Sequence, residues 1–400
     1  MMKHGVLIID GAAGLPLAEY GGKTCFELAR TPNLDAMARE GTVGLARTVP
    51  PGMEPSSACA CLSILGYDPL VYLPGRAAIE AMSMGIAVGE AEVAFRCNLV
   101  SVQNGKMRDY SSGHIGTGEA RPLITALQEE IGSDQISFYP GISYRHICKI
   151  AGHSNTLLAT CTPPHDIPNK PVDGFLPRGP GSELLQQLMA KSVPVLRDHP
   201  VTKLRKSRGE TPADMIWLFW GSGKLPDMPS FRQVYGLSAA LTSGVDLLGG
   251  LAQIAGIDFL NIPGVTDGPD NDYAAQALEA LAALRSHDMV VIHIESPDEA
   301  AHSGSIDNKI AAIERVDSDV VSQLRQQPRD DFRALIMPDH PTPIETRTHS
   351  PEPVPFLLWG KGFSANGASG FSEAEAKKTG FLIADGYKIM GRLIGDLVCL

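Results

Sequence analysis

Three apolar runs in this chain each lead into an acidic residue, and that pattern restricts the possible folds more than any other feature. Val6-Leu7-Ile8-Ile9 runs into Asp10, Met289-Val290-Val291-Ile292-His293-Ile294 ends just before Asp298, and Arg333-Ala334-Leu335-Ile336-Met337 precedes Asp339-His340. A fourth run, 354–359, follows His349. Short apolar runs bounded by turn residues read as strands buried on both faces. Helical stretches alternate with them at 272–284 and 309–324. Another helix opens at Thr31-Pro32-Asn33, with Leu34, Met37 and Ala38 on one face and Gly41 closing it. Alternating strands and helices imply an α/β fold with a largely parallel sheet flanked by helices. Sites in such folds collect at the carboxyl ends of the strands. Asp10 and Asp298 stand near opposite ends of the sequence, so both ends must enter one domain for these residues to meet.

The middle of the chain differs. Ile136-Ser137-Phe138-Tyr139 and His146-Ile147-Cys148-Lys149-Ile150 read as shorter strands, with a helix over 121–131 among them. Pro/Gly-rich stretches at 162–171 and 176–181 mark a far edge. The expected organisation is a core of residues 1–105 and 178–400, interrupted by a smaller α+β domain at 106–177. A length of 400 residues suits more than one domain.

The residue types at the strand ends are those that bind divalent cations. Asp10, Asp298, His302, Asp339, His340 and His349 supply carboxylates and imidazoles, and Ser57, in a Pro/Gly/Ser-rich loop, supplies a hydroxyl nucleophile. Asp298 and His302 are four apart, so both can face one ion from a helix. Each has a plain alternative: a helix-surface ion pair for Asp298 and His302, a loop histidine for His349, a turn or cap for Asp10. Recurrence at successive strand ends favours a two-cation site over coincidence.

A net charge of −11 argues against a nucleic-acid partner, though paired cations would still make a local site for an anion. No stretch approaches the ~18 consecutive apolar residues of a membrane helix, and the 6–9 run is too short for a signal-peptide core. Cysteines 25, 59, 61, 97, 148, 161 and 399 form no framework spacing, so free thiols and a cytoplasmic location are expected. Oligomeric state is not legible.

Val6 to Gly11, Thr31-Pro32-Asn33-Leu34-Asp35, Leu62-Ser63-Ile64-Leu65-Gly66-Tyr67-Asp68-Pro69 and Ala94-Phe95-Arg96-Cys97-Asn98 resemble the archaeal type of cofactor-independent phosphoglycerate mutase. So do His293-Ile294-Glu295-Ser296-Pro297-Asp298-Glu299-Ala300-Ala301-His302 and Pro338-Asp339-His340. The resemblance runs in order over nearly the whole chain and implies an alkaline-phosphatase-like core. It implies two divalent ions, Mn²⁺ foremost with Zn²⁺, Co²⁺ or Mg²⁺ as substitutes, and no 2,3-bisphosphoglycerate. Asp10, Ser57, Asp339 and His340 would surround one ion, and Asp298, His302 and His349 the other. Ser57 would receive the phosphoryl group of a small phosphorylated acid, with the inserted domain closing over it. Arg96, Arg145, His146, His165 and Asp166 match substrate-contact segments, and Arg76 and Lys309 have similar standing. Arg96 has a structural alternative, a buried salt bridge. Trp217, Trp220 and Gly221-Ser222-Gly223 are accounted for by core packing and a tight turn.

The chain departs from the family at the nucleophile. Where relatives of this type read roughly Gly-Ser-Asp-Thr-Ala-His, this sequence has Ser56-Ser57-Ala58-Cys59-Ala60-Cys61. The serine is kept while three polar neighbours become Ala58, Cys59 and Cys61, and Ser56 stands beside Ser57 as a second candidate. The expected reaction is interconversion of 3- and 2-phosphoglycerate. The alternatives are a phosphatase or phosphonate hydrolase, a homoserine-kinase-like phosphotransferase, or a non-catalytic binding protein on the same framework.

Overall fold

The computed structural model describes residues 2–73 and 75–395. Its strands, in chain order, are β1 (Lys3–Ile9), β2 (Thr42–Ala46), β3 (Glu92–Gln103), β4 (Lys106–Asp109), β5 (Ile136–Tyr139), β6 (Arg145–Ala151) and β7 (Met215–Gly223). They continue with β8 (Ala239–Thr242), β9 (Asp258–Phe259), β10 (Met289–Ile294), β11 (Phe332–Met337), β12 (Val354–Gly360) and β13 (Leu382–Ile383). The chain forms two units, Met1–Leu73 with Asp227–Leu400, and Pro74–Pro226.

The first unit is organised by an eight-stranded sheet of order β13-β2-β12-β11-β1-β10-β8-β9. From β11 to β9 the neighbours run parallel. β12 is antiparallel to both β11 and β2. β1 is buried from His4 to Ile9, which is why it reads as an unbroken apolar run. Each such Val, Leu or Ile contributes about 1.5–3 kcal/mol by burial. The helix opened at Thr31 is Pro32–Glu40, and it buries Leu34, Met37 and Ala38. Thr31 makes no side-chain cap there; the Asp317 carboxylate accepts from Asn33 N at 3.1 Å and Leu34 N at 2.7 Å instead. Asp317 stands where the 309–324 helix changes its winding. Helix Ile306–Val316 passes into a π turn, Asp317–Val321, before Ser322–Arg325.

The second unit corrects the expected domain limits. Twelve-residue β3 pairs antiparallel with β6 and with β7, and β5 adds outside β6. Leu123 and Leu127 of helix Thr117–Ile131 and Leu185 and Met189 of helix Ser182–Asp198 share its core with Phe95 and Leu218. Boundaries at 105/106 and 177/178 would therefore cut through this unit. β3 misled because an apolar strand reads the same whichever sheet it joins, and pairing, not composition, assigns it. Gly221-Ser222-Gly223 lies within β7 rather than in a tight turn, and a β-carbon on Gly221 would stand 2.4 Å from Phe95 Cε1.

Cys25, Cys59, Cys61, Cys97, Cys148 and Cys161 are free thiols, and Cys399 lies outside the described residues. Among the described residues, no helix is long and apolar enough to cross a membrane.

Candidate metal centre

The parallel register of the first unit brings its acids together. Ile9 pairs with Ile294 and Ile8 with Met337, so Asp10, Glu295 and Asp339 leave the sheet at the same edge. This edge is the carboxyl end of β1, β10 and β11. Glu295 precedes helix Ser296–Ser303, which carries Asp298 and His302 one turn apart. Gly11 follows Asp10 with φ +58°, and a β-carbon there would lie 2.1 Å from Asp298 Oδ1. Only glycine allows that turn and that approach together.

Two groups of ligand-type atoms result. In one, Asp298 Oδ2 lies 3.0 Å from His302 Nε2 and 3.5 Å from His349 Nε2, and the two imidazole nitrogens are 3.0 Å apart. In the other, His340 Nε2 is 3.2 Å from Asp339 Oδ2 and 3.6 Å from Asp10 Oδ1. Ser57 Oγ is 3.2 Å from the same His340 Nε2. Thr342 joins the groups, its hydroxyl donating to Asp298 Oδ1 at 2.5 Å and lying 3.3 Å from His340 Nδ1.

Helix Ser57–Ile64 separates the two candidate serines. Ser56 is its N-cap, its Oγ accepting from Cys59 N at 3.3 Å, while Ser57 begins the helix and turns its Oγ toward His340. The departures from the family pattern are buried in the same helix: Ala58, Cys59 and Cys61 are all inaccessible. Cys61 Sγ stands 3.8 Å from Asp339 Oδ2. Burial, reinforced by the Asp339 charge, pushes both thiols well up, Cys59 to about 12, so neither is a thiolate near neutral pH.

The charges of the cluster are poorly balanced by the protein. Burial, then the charges of Asp339 and Asp298, raise Asp10 well above the usual carboxylate range. Burial, then Asp10 and Asp298, do the same to Glu295. Asp298 is opposite: burial alone would raise it, but hydrogen bonds to His302 and His349 outweigh that and hold it low. Those contacts carry His302 up to about 9 despite its burial. His340 is held well down by burial and by the nearby His349. Asp10 Oδ1 and Glu295 Oε2 are buried without a hydrogen-bond partner among the described residues. Crowded carboxylates with orphaned oxygens, interleaved with imidazoles, fit a divalent cation such as Mn²⁺ or Zn²⁺.

Sequence reasoning missed His293 and Glu295. His293 Nε2 lies 2.8 Å from Asp10 Oδ2 and 3.9 Å from Glu295 Oε2. The signal was present: His293 is the polar member of an apolar strand, and Glu295 sits directly at that strand's end. Lys309, expected near substrate, is fully buried and donates to Ala13 O at 2.9 Å and Thr342 O at 2.8 Å. It clamps the loops after Asp10 and His340, a structural task.

The other expected substrate-contact residues fall in the second unit. Arg96 is buried and bridges Glu80 at 2.5 and 2.6 Å, the structural alternative considered for it, while Arg76 reaches the same carboxylate at 2.6 Å. Arg76 stacks 4.6 Å from the Trp220 ring, and His165 lies edge-on to that ring at 5.5 Å. Arg145 is exposed beside Tyr144. His146 is buried, its Nδ1 accepts from Gly141 N at 3.0 Å, and burial lowers it to about 3. Asp166 is exposed, its carboxylate 3.9 Å from His165.

A sequence model of the 2,3-bisphosphoglycerate-independent phosphoglycerate mutases matches residues 38–202. A protein of that name from Methanothrix thermoacetophila is 47% identical over 396 residues, covering 98% of this chain and 100% of the relative. One from Methanosarcina acetivorans is 43% identical over 397 residues, covering 98% of this chain and 100% of the relative. A solved Pyrococcus horikoshii protein superposes with a TM-score of 0.82 at 26% identity, over 100% of this chain and 99% of its own. The cofactor-independent phosphoglycerate mutase of Thermoplasma acidophilum, 24% identical, superposes at a TM-score of 0.64 over 99% of each chain and so shares the fold. With identity this high over almost the full length, the chain belongs to the 2,3-bisphosphoglycerate-independent phosphoglycerate mutase family, of the archaeal type.

Proposed function

We propose that this protein interconverts 3-phosphoglycerate and 2-phosphoglycerate through a phosphoserine on Ser57. The observation that carries the reading is Ser57 Oγ, 3.2 Å from His340 Nε2, at the edge of the Asp10, Asp339 and His340 group. The names of the relatives support the substrate. Asp10, Ser57, Asp339 and His340 would hold one divalent cation and Asp298, His302 and His349 a second, Mn²⁺ being the ion the family resemblance implies and Zn²⁺ one that mixed carboxylate and imidazole donors also accept. When bound, the cations would lower the serine pKa and neutralise charge on the transferring phosphoryl oxygens.

Ser57 Oγ attacks phosphorus and loses its proton, and the bond from phosphorus to the substrate oxygen breaks. That oxygen leaves as a hydroxyl once protonated. The glycerate then turns, its other hydroxyl attacks the phosphoserine, and Ser57 is regenerated. Water must be excluded meanwhile, or the phosphoserine would hydrolyse. Arg96, Arg145, His146, His165 and Asp166 remain the proposed contacts to the organic part of the substrate. Arg76 and Arg96 support this, sharing the one Glu80 carboxylate and thus forming a local positive excess. A cytoplasmic location accords with free thiols.

Incubation with 3-phosphoglycerate and Mn²⁺ tests the reading. The expected result is 2-phosphoglycerate without release of inorganic phosphate. Phosphate release would instead indicate a hydrolase on the same framework, and no turnover of either kind would favour a transferase for another hydroxylated substrate.

A further inference from the structure

We infer that Trp220 is a positioning residue, whose indole face sets the Arg76 and Arg96 guanidinium groups as a pair that receives the carboxylate of the bound acid. The inference rests on the proposed function. With the phosphoryl group assigned to Ser57, the carboxylate is the anion left for the arginines, and guanidinium meets it through paired N–H donors. Arg76 Cζ stands 4.6 Å from the centre of the Trp220 ring and Arg96 Cζ 5.9 Å. Both guanidinium groups reach the one Glu80 carboxylate. That carboxylate neutralises one of them at most, and attraction to the ring helps hold together two like charges that would otherwise repel.

A break in strand register puts the ring there. Ala94 pairs with Ser222 and Arg96 with Phe219, so Phe95 alone faces both Trp220 and Gly221, a β-bulge. Successive side chains of a regular strand point to opposite faces. Here Phe219 and Trp220, adjacent in sequence, have ring centres 4.7 Å apart and both approach Arg96, Phe219 at 6.0 Å. The arrangement has two costs. Trp220 takes φ +50°, a left-handed conformation rare for a bulky side chain. Its Nε1 is buried with no hydrogen-bond partner among the described residues. Trp217, in the regular part of the same strand, has an Nε1 that donates to Thr162 O at 2.8 Å, and core packing explains it. Core packing does not explain Trp220. Backbone strain of this kind persists where the surroundings fix it, and it clusters at ligand sites. The next residue supplies the fixing contact: Ser222 Oγ accepts from Ala78 N at 2.6 Å, near the start of helix Arg76–Ser83, whose N-cap Gly75 has no side chain. The strand that aims Trp220 thereby also anchors the helix bearing Arg76 and Glu80. His165, another proposed contact, lies edge-on to the same ring at 5.5 Å.

Calorimetric titration of 3-phosphoglycerate into the full chain with Mn²⁺ tests the assignment, because binding is read whether or not turnover follows. Trp220→Leu removes the π face and should raise the dissociation constant roughly tenfold, whereas Trp220→Phe, which keeps a ring, should recover most of that loss. In an Arg76→Ala background Trp220→Leu should add no more than about twofold, because the cation that the ring orients is gone. Far-UV circular dichroism checks folding, with Trp220→Met replacing Trp220→Leu if that variant is unfolded. No loss in Trp220→Leu, an equal loss with and without Arg76, or a loss in Trp220→Phe as large as in Trp220→Leu would each overturn the assignment. Wild-type binding without appearance of 2-phosphoglycerate would overturn the proposed function, and the comparison of the two backgrounds would still decide this inference. Absence of wild-type binding would overturn both.

Discussion

Gly11 and Asp298 are in such close apposition that a single methyl group at Gly11 would fall 2.1 Å from Asp298 Oδ1. The Gly11 amide also donates to Asp339 Oδ1 at 3.0 Å. One residue without a side chain thus lets the strand bearing Asp10 turn toward Asp298 while it orients Asp339. Gly11→Ala should cost about 2 kcal/mol or more, from the positive φ and from displacement of Asp298. Urea unfolding of the metal-free protein would measure the stability term. Mn²⁺ titration would show weaker binding if Asp298 has moved, and unchanged binding would contradict the proposed role.

Ser56 and Ser57 should separate cleanly. Ser57→Ala should abolish mutase turnover and any acid-stable phosphoprotein formed from ³²P-labelled substrate. Ser56→Ala should leave turnover in place but lower stability by about 1 kcal/mol, the usual cost of losing an N-cap. The reverse pattern would assign the chemistry to Ser56.

Chelation should destabilise the protein. Buried carboxylates at Asp10, Glu295, Asp298 and Asp339 repel one another, and bound cations remove that cost. With Mn²⁺ at 100 times its dissociation constant, one site adds about 2.7 kcal/mol. Calorimetry should therefore show a lower Tm after EDTA, restored by Mn²⁺. A Tm indifferent to EDTA would count against any tight metal site.

Stability should also fall on mild acidification, partly because of His4. Burial lowers His4 from 6.5 to about 4 in the folded protein. Between those values the unfolded chain takes up a proton that the folded chain refuses, so stability is lost as pH falls through this window. The full effect is about 3.4 kcal/mol. His146, lowered to about 3, acts in the same direction, so His4→Gln should flatten the pH dependence only in part. Denaturant midpoints for wild type and variant from pH 7 to pH 4 would reveal the difference, and parallel curves would refute it.

The sequence by itself determined the α/β class and the strands that carry Asp10 and Asp339. A strand buried on both faces must be apolar throughout, so the first acid marks where it leaves the core. It also carried the family, through motifs spread along most of the chain. Tertiary structure decided what depends on pairing. Glu295 became a neighbour of Asp10 only because Ile9 and Ile294 share a register, and no local pattern encodes that distance. The choice of Ser57 over Ser56 depended on where a helix begins, and Arg96 found its partner Glu80 sixteen residues earlier in the chain. β3 belongs to the second unit because β6 and β7 pair with it. Apolar runs reveal that a strand is buried; only its hydrogen-bonded neighbours say in which sheet.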